Sequence, residues 1–230
     1  MNKHSTVVDL AELRDRIHVF RDRAHAGKIL ASMLDSYSNS NAIVLGIPAG
    51  GLPVAAVMAE HLRLFFDIVV VSKITLPWNS ESGYGAVAFD GTVRMNEQLL
   101  PRLGLSKEEI QQDIKKTLDK VTHRVKSLRG ERAFPDLSKR SAILVDDGCA
   151  SGFTLVVGVE ALRKAGARHI IVAVPTGHWD SIQAMAQQVE MIYCANIRQG
   201  WSFAVADAYE RWSDVSDEEL IGIIQRVNRD

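Results

Sequence analysis

Two adjacent carboxylates, Asp146 and Asp147, follow directly on the apolar run Ala142 to Val145. The chain then continues Gly148-Cys149-Ala150-Ser151-Gly152-Phe153-Thr154 into the helix-like stretch LVVGVEALRKAG. A short Val/Ile-rich run of this kind reads as a strand buried on both faces, so the acids leave it at its carboxyl end, where open parallel sheets hold ligands. Gly148 and Gly152 permit a tight turn, while Ser151 and Thr154 bring hydroxyls to the start of the next helix. The unpaired amides of that helix N-terminus, reinforced by its dipole, suit a monophosphate. Two acids would repel a phosphate placed beside them. They can instead accept hydrogen bonds from the neutral vicinal hydroxyls of a sugar while the phosphate lies a turn further along, and a ribose 5-phosphate meets both demands. The plainer alternatives are a Ser/Gly helix-cap turn with solvated acids, or an acidic Mg²⁺ pocket.

A second loop lies in Ile43 to Val54, I-V-L-G-I-P-A-G-G-L-P-V, a strand followed by a Gly-rich turn and a helix starting near Pro53. Its Gly50-Gly51 pair could offer amides to an anion or simply connect strand to helix. Lys73, at the end of a Val-rich strand, could neutralise a bound anion or stand exposed at a strand end. Cys149 sits where a helix N-terminus lowers a thiol pKa, but with no partner base in view it reads as a small loop filler. His178 reads as a helix-start histidine with a local hydrogen bond, with a cleft-facing role as the alternative. Trp201 and Phe203 follow the last strand; core burial is their plainer reading, stacking on a base the other. The sequence holds no G-x-S-x-G, G-x-x-x-x-G-K-[ST], H-E-x-x-H or complete G-x-G-x-x-G pattern.

The elements that must position these groups alternate. Strands are expected at Ala42 to Leu45, Ile68 to Val71, Ala142 to Val145, Ile170 to Val174 and Met191 to Ala195, with helices at Pro53 to Leu62, Phe153 to Ala165 and His178 to Gln188. That alternation predicts an α/β fold with a doubly wound, mainly parallel sheet in a single domain over residues 1–230. A hairpin centred on Asp90-Gly91, flanked by YGAVAF and TVRM, and a long helix from Ser106 to Leu128 form an inserted subregion at about 84–130. Ser106 and Glu109 form a capping box, and Ile110, Ile114, Leu118, Val121, Val125 and Leu128 form one apolar stripe. The charged remainder of that helix reads as a solvated face without a function. Asp9 to Leu34 reads as helical and packed outside the sheet.

Composition narrows the function classes. The 230 residues are 47% hydrophobic and 24% charged, which is an ordinary globular balance. With 27 basic against 28 acidic residues, the net charge of −1 gives no field for binding bulk nucleic acid or an anionic membrane. No apolar run approaches the roughly 20 residues of a membrane helix. Two cysteines in no metal-binding pattern suit a reducing cytoplasm, where the protein is expected.

Taken together, D-D-G-x-A-S-G-x-T after a hydrophobic strand resembles the 5-phosphoribosyl 1-pyrophosphate (PRPP) motif of the type I phosphoribosyltransferases. The resemblance covers most of the chain, through P-x-G-G-x-P-V-A, K-I at Lys73, N-S-E at Asn79 to Glu81, Y-G-A-V-A at Tyr84, F-A-V-A-D-A-Y-E-R-W at Phe203 and D-E-E-L at Asp217. It is nearest to a group of uncharacterised bacterial and archaeal members. It implies transfer of 5-phosphoribose from Mg²⁺-bound PRPP to a small nitrogenous acceptor with release of pyrophosphate, a role in nucleotide metabolism, and a homodimer. Asp146, Asp147 and Lys73 would carry the chemistry. Gly148 to Thr154, including Cys149, Ala150, Ser151, Gly152 and Phe153, would hold the 5-phosphate, and Ala49, Gly50, Gly51 and Lys73 the pyrophosphate. Ile74 to Gly83, with Pro77 and Asn79, would form a flap, and Trp201 and Phe203 would meet the acceptor. No direct protein ligand to the metal is implied. The group carries Arg where Ala49 and Ser72 stand here, which motivates a second expectation, a non-catalytic PRPP or nucleotide sensor that kept the fold. Ala150 stands where 6-oxopurine transferases place an acid, which argues against hypoxanthine or guanine as acceptor.

Overall fold

The computed structural model describes residues 6–76 and 79–227, with backbone alone at 79–82. Its strands are β1 (Thr6–Val8), β2 (Ile43–Gly46), β3 (Phe65–Ile68), β4 (Val71–Leu76), β5 (Asn79–Ala88), β6 (Val93–Met95), β7 (Ser141–Val145), β8 (His169–His178) and β9 (Met191–Arg198). Its α-helices are α1 (Arg23–Met33), α2 (Gly51–Leu62), α3 (Lys107–Arg129), α4 (Phe153–Lys164), α5 (Trp179–Ala186) and α6 (Asp217–Val227). Six strands form one sheet in the order β1-β9-β8-β7-β2-β3, and every pairing in it is parallel. The strand period of two splits its side chains between two cores. Val44, Ile143 and Val145 pack with α1, α2 and α6 on one face, while Ile43, Leu45, Ala142 and Leu144 pack with α4 and α5 on the other. This is the expected doubly wound α/β arrangement. From β2 the chain crosses through α2 to β3 on one side, and from β7 through α4 to β8 on the other, so the strand order reverses between β2 and β7. A crevice opens at such a reversal because the two crossovers diverge.

The apolar run 68–71 is not one strand. β3 ends at Ile68, and the chain passes through the buried residues Val69 and Val70 into β4, which belongs to a separate antiparallel sheet, β4-β5-β6. Both pieces and the joint are buried, so hydrophobicity carries no mark of the change of sheet. The hairpin at Asp90-Gly91 forms as expected: Asp90 accepts from the Thr92 amide and hydroxyl, and Gly91 takes φ of 84°. Of the segment 9–34 only α1 is an α-helix, capped by Asp22, whose carboxylate accepts from the His25 amide at 2.8 Å. Upstream, Leu10 and Asp15 donate to the backbone of Ala195 and Ile197, and Phe20 bridges to Tyr209. The three-residue edge strand β1, too short to show a period, also escapes the sequence pattern.

The capping box of α3 is formed, with the Glu109 amide donating to Ser106 Oγ and Glu109 accepting from the Ser106 amide at 2.8 Å. Val121 and Leu128 are buried, Ile110, Ile114 and Val125 partly so, whereas Leu118 of the expected stripe is exposed. Polar contacts near both ends help hold α3 against the body. Tyr84 donates to Asp113 at 2.6 Å, and the buried Arg129 pairs with Asp67 at 3.2 Å. Among the described residues no helix is long and apolar enough to cross a membrane.

Candidate functional site

At the carboxyl ends of β2 and β7, where the strand order reverses, lies a cleft of about 330 Å³. The loops after the two strands touch. A Cβ on Gly50 would stand 1.8 Å from Asp147 Oδ2, and one on Gly51 2.7 Å from the Cα of Asp146. The glycine pair is therefore required because the acids of the neighbouring loop occupy the space a side chain would take. Ala49 and Gly50 line the cleft, Gly51 is buried as the first residue of α2, and the Pro48–Ala49 peptide is cis.

Asp146 and Asp147 both line the cleft but are not equivalent. Burial raises the Asp146 pKa well above the usual carboxylate range and the charge of Asp147 adds to it, while the Asp147 amide, donating at 2.9 Å, and the charge of Lys73 pull it down. Burial also raises Asp147, but Arg23 opposes that shift: its Nε and Nη2 both lie 3.0 Å from Asp147 Oδ2. Arg23 is itself held, with Nη1 donating to the Ser213 carbonyl at 2.7 Å and its guanidinium 4.0 Å over the ring of Trp212. The Tyr209 hydroxyl donates to the Asp147 carbonyl at 2.7 Å. One acid is thus charge-paired and fixed, while the other has no ion pair among the described residues and lines the cleft.

Beyond the acids, Gly148, Ala150, Ser151, Gly152 and Thr154 line the cleft. Gly152 takes φ of 70°, and α4 begins at the next residue. Val156 makes the first backbone bond of that helix, to Gly152. The amides of Ala150, Ser151, Gly152 and Thr154 have no partner among the described residues, which leaves a row of donors at a helix N-terminus. Cys149 is different. Its amide donates to the Thr176 carbonyl at 2.8 Å and its side chain is buried, which pushes the thiol up to about 12. It fills the loop, as its sequence context suggests, and is no nucleophile at neutral pH. The ring of Phe153 packs against the core under α4.

The family model of the phosphoribosyl transferase domain matches residues 89–208. The chain belongs to this family. It is 32% identical, over 92% of its length, to two Mycobacterium tuberculosis proteins, from strains CDC 1551 / Oshkosh and ATCC 25618 / H37Rv, whose names give phosphoribosyl transferase as a provisional designation. The match covers 48% of each, so the chain spans about half the length of these curated relatives. Among solved structures, TT1426 from Thermus thermophilus is similar at 28% identity and a TM-score of 0.72, covering 90% of this chain and 98% of that one. The AQ2163 protein from Aquifex aeolicus shares the fold at 11% identity and a TM-score of 0.50, over 89% of this chain and 91% of that one.

In this phosphoribosyltransferase-family chain, Lys73 and the buried Ser72 line the cleft from β4. Two residues of α3, Lys120 and Arg124, line it as well, although that helix face reads in sequence as merely solvated. Arg23, Tyr209 and Trp212 also escape sequence reasoning. Arg23 is 124 residues from its partner in sequence, and the motif that carries Tyr209 and Trp212 has no local chemistry. Trp201 is fully exposed, against the expectation of core burial, and lies with His178, Trp179 and Gly200 in a separate depression beside the cleft. Phe203 is half-buried, edge-on to His178 at 5.8 Å and under the Arg198 guanidinium at 4.9 Å. His178 stands at the N-cap of α5, but its side chain makes no capping bond; its Nε2 lies 3.1 Å from the carbonyl of Gly200, 22 residues on, in place of the local bond expected of it. Pro77 of the expected flap lies outside the described residues, as does the side chain of Asn79.

Proposed function

We propose that the cleft binds PRPP with Mg²⁺ and transfers its 5-phosphoribosyl group to a small nitrogenous acceptor, releasing pyrophosphate. The observation that carries this reading is the sequence of groups along one loop: a carboxylate without an ion pair among the described residues and one paired with Arg23, then a glycine turn, then unpartnered amides at the start of α4. Asp146 and Asp147 accept from the ribose hydroxyls, and the amides of Ala150 to Thr154 with the hydroxyls of Ser151 and Thr154 hold the 5-phosphate. Ala49, Gly50, Gly51 and Lys73 border the pyrophosphate.

The donor set fits Mg²⁺. The aspartates supply hard oxygens, and no group of three or more His, Cys, Asp or Glu suited to a metal occurs among the described residues, so the ion would be held mostly by substrate oxygens and water. Bound there it would neutralise charge building on the departing pyrophosphate. The bond from C1 to the pyrophosphate oxygen breaks with both electrons leaving on pyrophosphate, a C1–N bond forms, and the acceptor nitrogen gives its proton to the departing pyrophosphate or to water. The chain's part is to hold the sugar while C1 gains positive character and to keep water away, the latter assigned to Ile74 to Gly83. Trp201 and Phe203 are the proposed acceptor contacts.

Calorimetry with PRPP and Mg²⁺, paired with pyrophosphate release over a panel of nucleobases, tests the proposal. Binding with turnover on at least one base is the expected result. Binding with no turnover on any base would make the protein a sensor of PRPP or nucleotides, and no heat with PRPP, ribose 5-phosphate or any mononucleotide would overturn both readings.

A further inference from the structure

Within the proposed PRPP reading, we infer that Lys120 and Arg124 of α3 are binding residues for the diphosphate end of the ligand, working beside Lys73. A diphosphate needs cations, and the loop nearest it supplies none: Ala49, Gly50 and Gly51 are uncharged, and Ser72 is neutral and buried. The neighbouring wall adds no positive charge either, since its ionisable side chains are the acids Asp146 and Asp147. The nearby Arg23 is committed to Asp147, to the Ser213 carbonyl and to Trp212. Of the residues lining the cleft, the three cations are Lys73, Lys120 and Arg124.

The arrangement of the α3 pair supports the assignment. Lys116, Lys120 and Arg124 step by four along α3, so they share one ridge with no acid among them. Like charges at that spacing repel, and packing gains nothing from it, since Lys120 is exposed and has no hydrogen bond or ion pair among the described residues. An anion in the cleft would relieve the repulsion. Arg124 pairs at 3.0 Å with Asp217, whose side chain is 66% exposed, so an incoming phosphate can displace a partner that water readily takes back. The helix that carries them is anchored toward both ends, by Asp113 to Tyr84 and by Arg129 to the buried Asp67, so the backbone that presents the two side chains is fixed before ligand arrives. The guanidinium also offers the planar fork that a phosphate accepts in bidentate fashion.

The test uses the full chain and three probes, pyrophosphate, PRPP and ribose 5-phosphate, each with Mg²⁺ and each followed by calorimetry. In the double variant Lys120→Gln/Arg124→Gln, pyrophosphate and PRPP affinities should fall by about 30-fold or more, as loss of charge-assisted bonds implies, with ribose 5-phosphate held within about twofold. Asp217→Asn, which breaks the same surface pair but keeps both cations, should leave pyrophosphate affinity equal or tighter. Unchanged pyrophosphate affinity in the double variant overturns the inference. So does an equal loss for ribose 5-phosphate, which would mark α3 as a structural support only. Failure of the PRPP-binding reading looks different, because the unaltered protein would then not bind ribose 5-phosphate at all. An unaltered protein that binds none of the three probes overturns the function and the inference together.

Discussion

The acids and amides of the cleft come from the loops after β2 and β7 and rest on the parallel sheet, whose central side chains are fully buried. The cations come from β4 and α3, in the inserted layer: Lys73 and Lys120 are exposed, and Arg124 is partly buried and pairs with the exposed Asp217. On the first side, groups interlock: Gly50 and Gly51 leave no room for a side chain beside Asp147 and Asp146, and Arg23 pairs with Asp147 at 3.0 Å. On the second, Lys73 acts on Asp146 through space, and Lys120 has no partner among the described residues. A change on the sheet side should therefore disturb shape, stability and ligand binding together, whereas a change to the cleft cations of the inserted side should disturb charge alone. That division suits a ligand with a neutral, stereochemically exacting sugar at one end and a highly charged group at the other.

The harshest trial of this contrast is Gly50→Ala. The added methyl overlaps Asp147 Oδ2, so PRPP binding should fall by more than about 100-fold and stability by about 1–3 kcal/mol, seen by calorimetry and denaturant unfolding. An alanine tolerated on both counts would show that the two loops do not pack as tightly as described.

Asp147→Asn comes next. It removes the ionic partner of Arg23 and should lower PRPP affinity by about 1.5–3 kcal/mol, the range for hydrogen bonds to charged groups, with a loss of folding stability beside it. Full PRPP affinity in this variant would remove Asp147 from the ligand site.

Asp146→Asn should separate function from stability in sign. Because burial and Asp147 raise the Asp146 pKa in the folded state, the folded protein holds a proton that the unfolded chain has already released, so stability falls as pH rises from the ordinary carboxylate range through the raised pKa. The amide variant should lose that slope, gain on the order of 1 kcal/mol at neutral pH, and still bind PRPP poorly. A parallel pH dependence of unfolding in the two proteins would count against the electrostatic account.

The smallest effect sharpens the contrast from the inserted side. Ser106→Ala removes the cap of α3 and should cost about 1 kcal/mol while leaving ribose 5-phosphate affinity unchanged, because the cap lies at the end of a helix outside the parallel sheet. If that affinity fell, the two sides would be mechanically coupled.

The central strands and the stretch 141–154 were legible in the amino-acid order for a physical reason. A strand buried on both faces must be a short Val/Ile-rich run, and the turn that follows it is contiguous in sequence, so its acids, glycines and hydroxyls arrive together. The long helix showed itself by its cap and stripe. Other features depended on distance in sequence rather than residue type. Nothing local pairs Arg23 with Asp147, and nothing in the helix α3 separates charges that face water from Lys120 and Arg124 at the cleft. Nor does an indole following a final strand show whether it enters a core or, like Trp201, stands in solvent.

The order of residues thus determined the α/β alternation, the reversal-ready loops and the pairing of carboxylates with a helix N-terminus, since each of these is written in a single run of neighbours. Folding alone decided which acid is neutralised, which loop must lack side chains and which cations join the cleft. Those outcomes come from segments far apart along the chain being brought within a few ångströms, where burial and Coulomb forces act on whatever has been placed there.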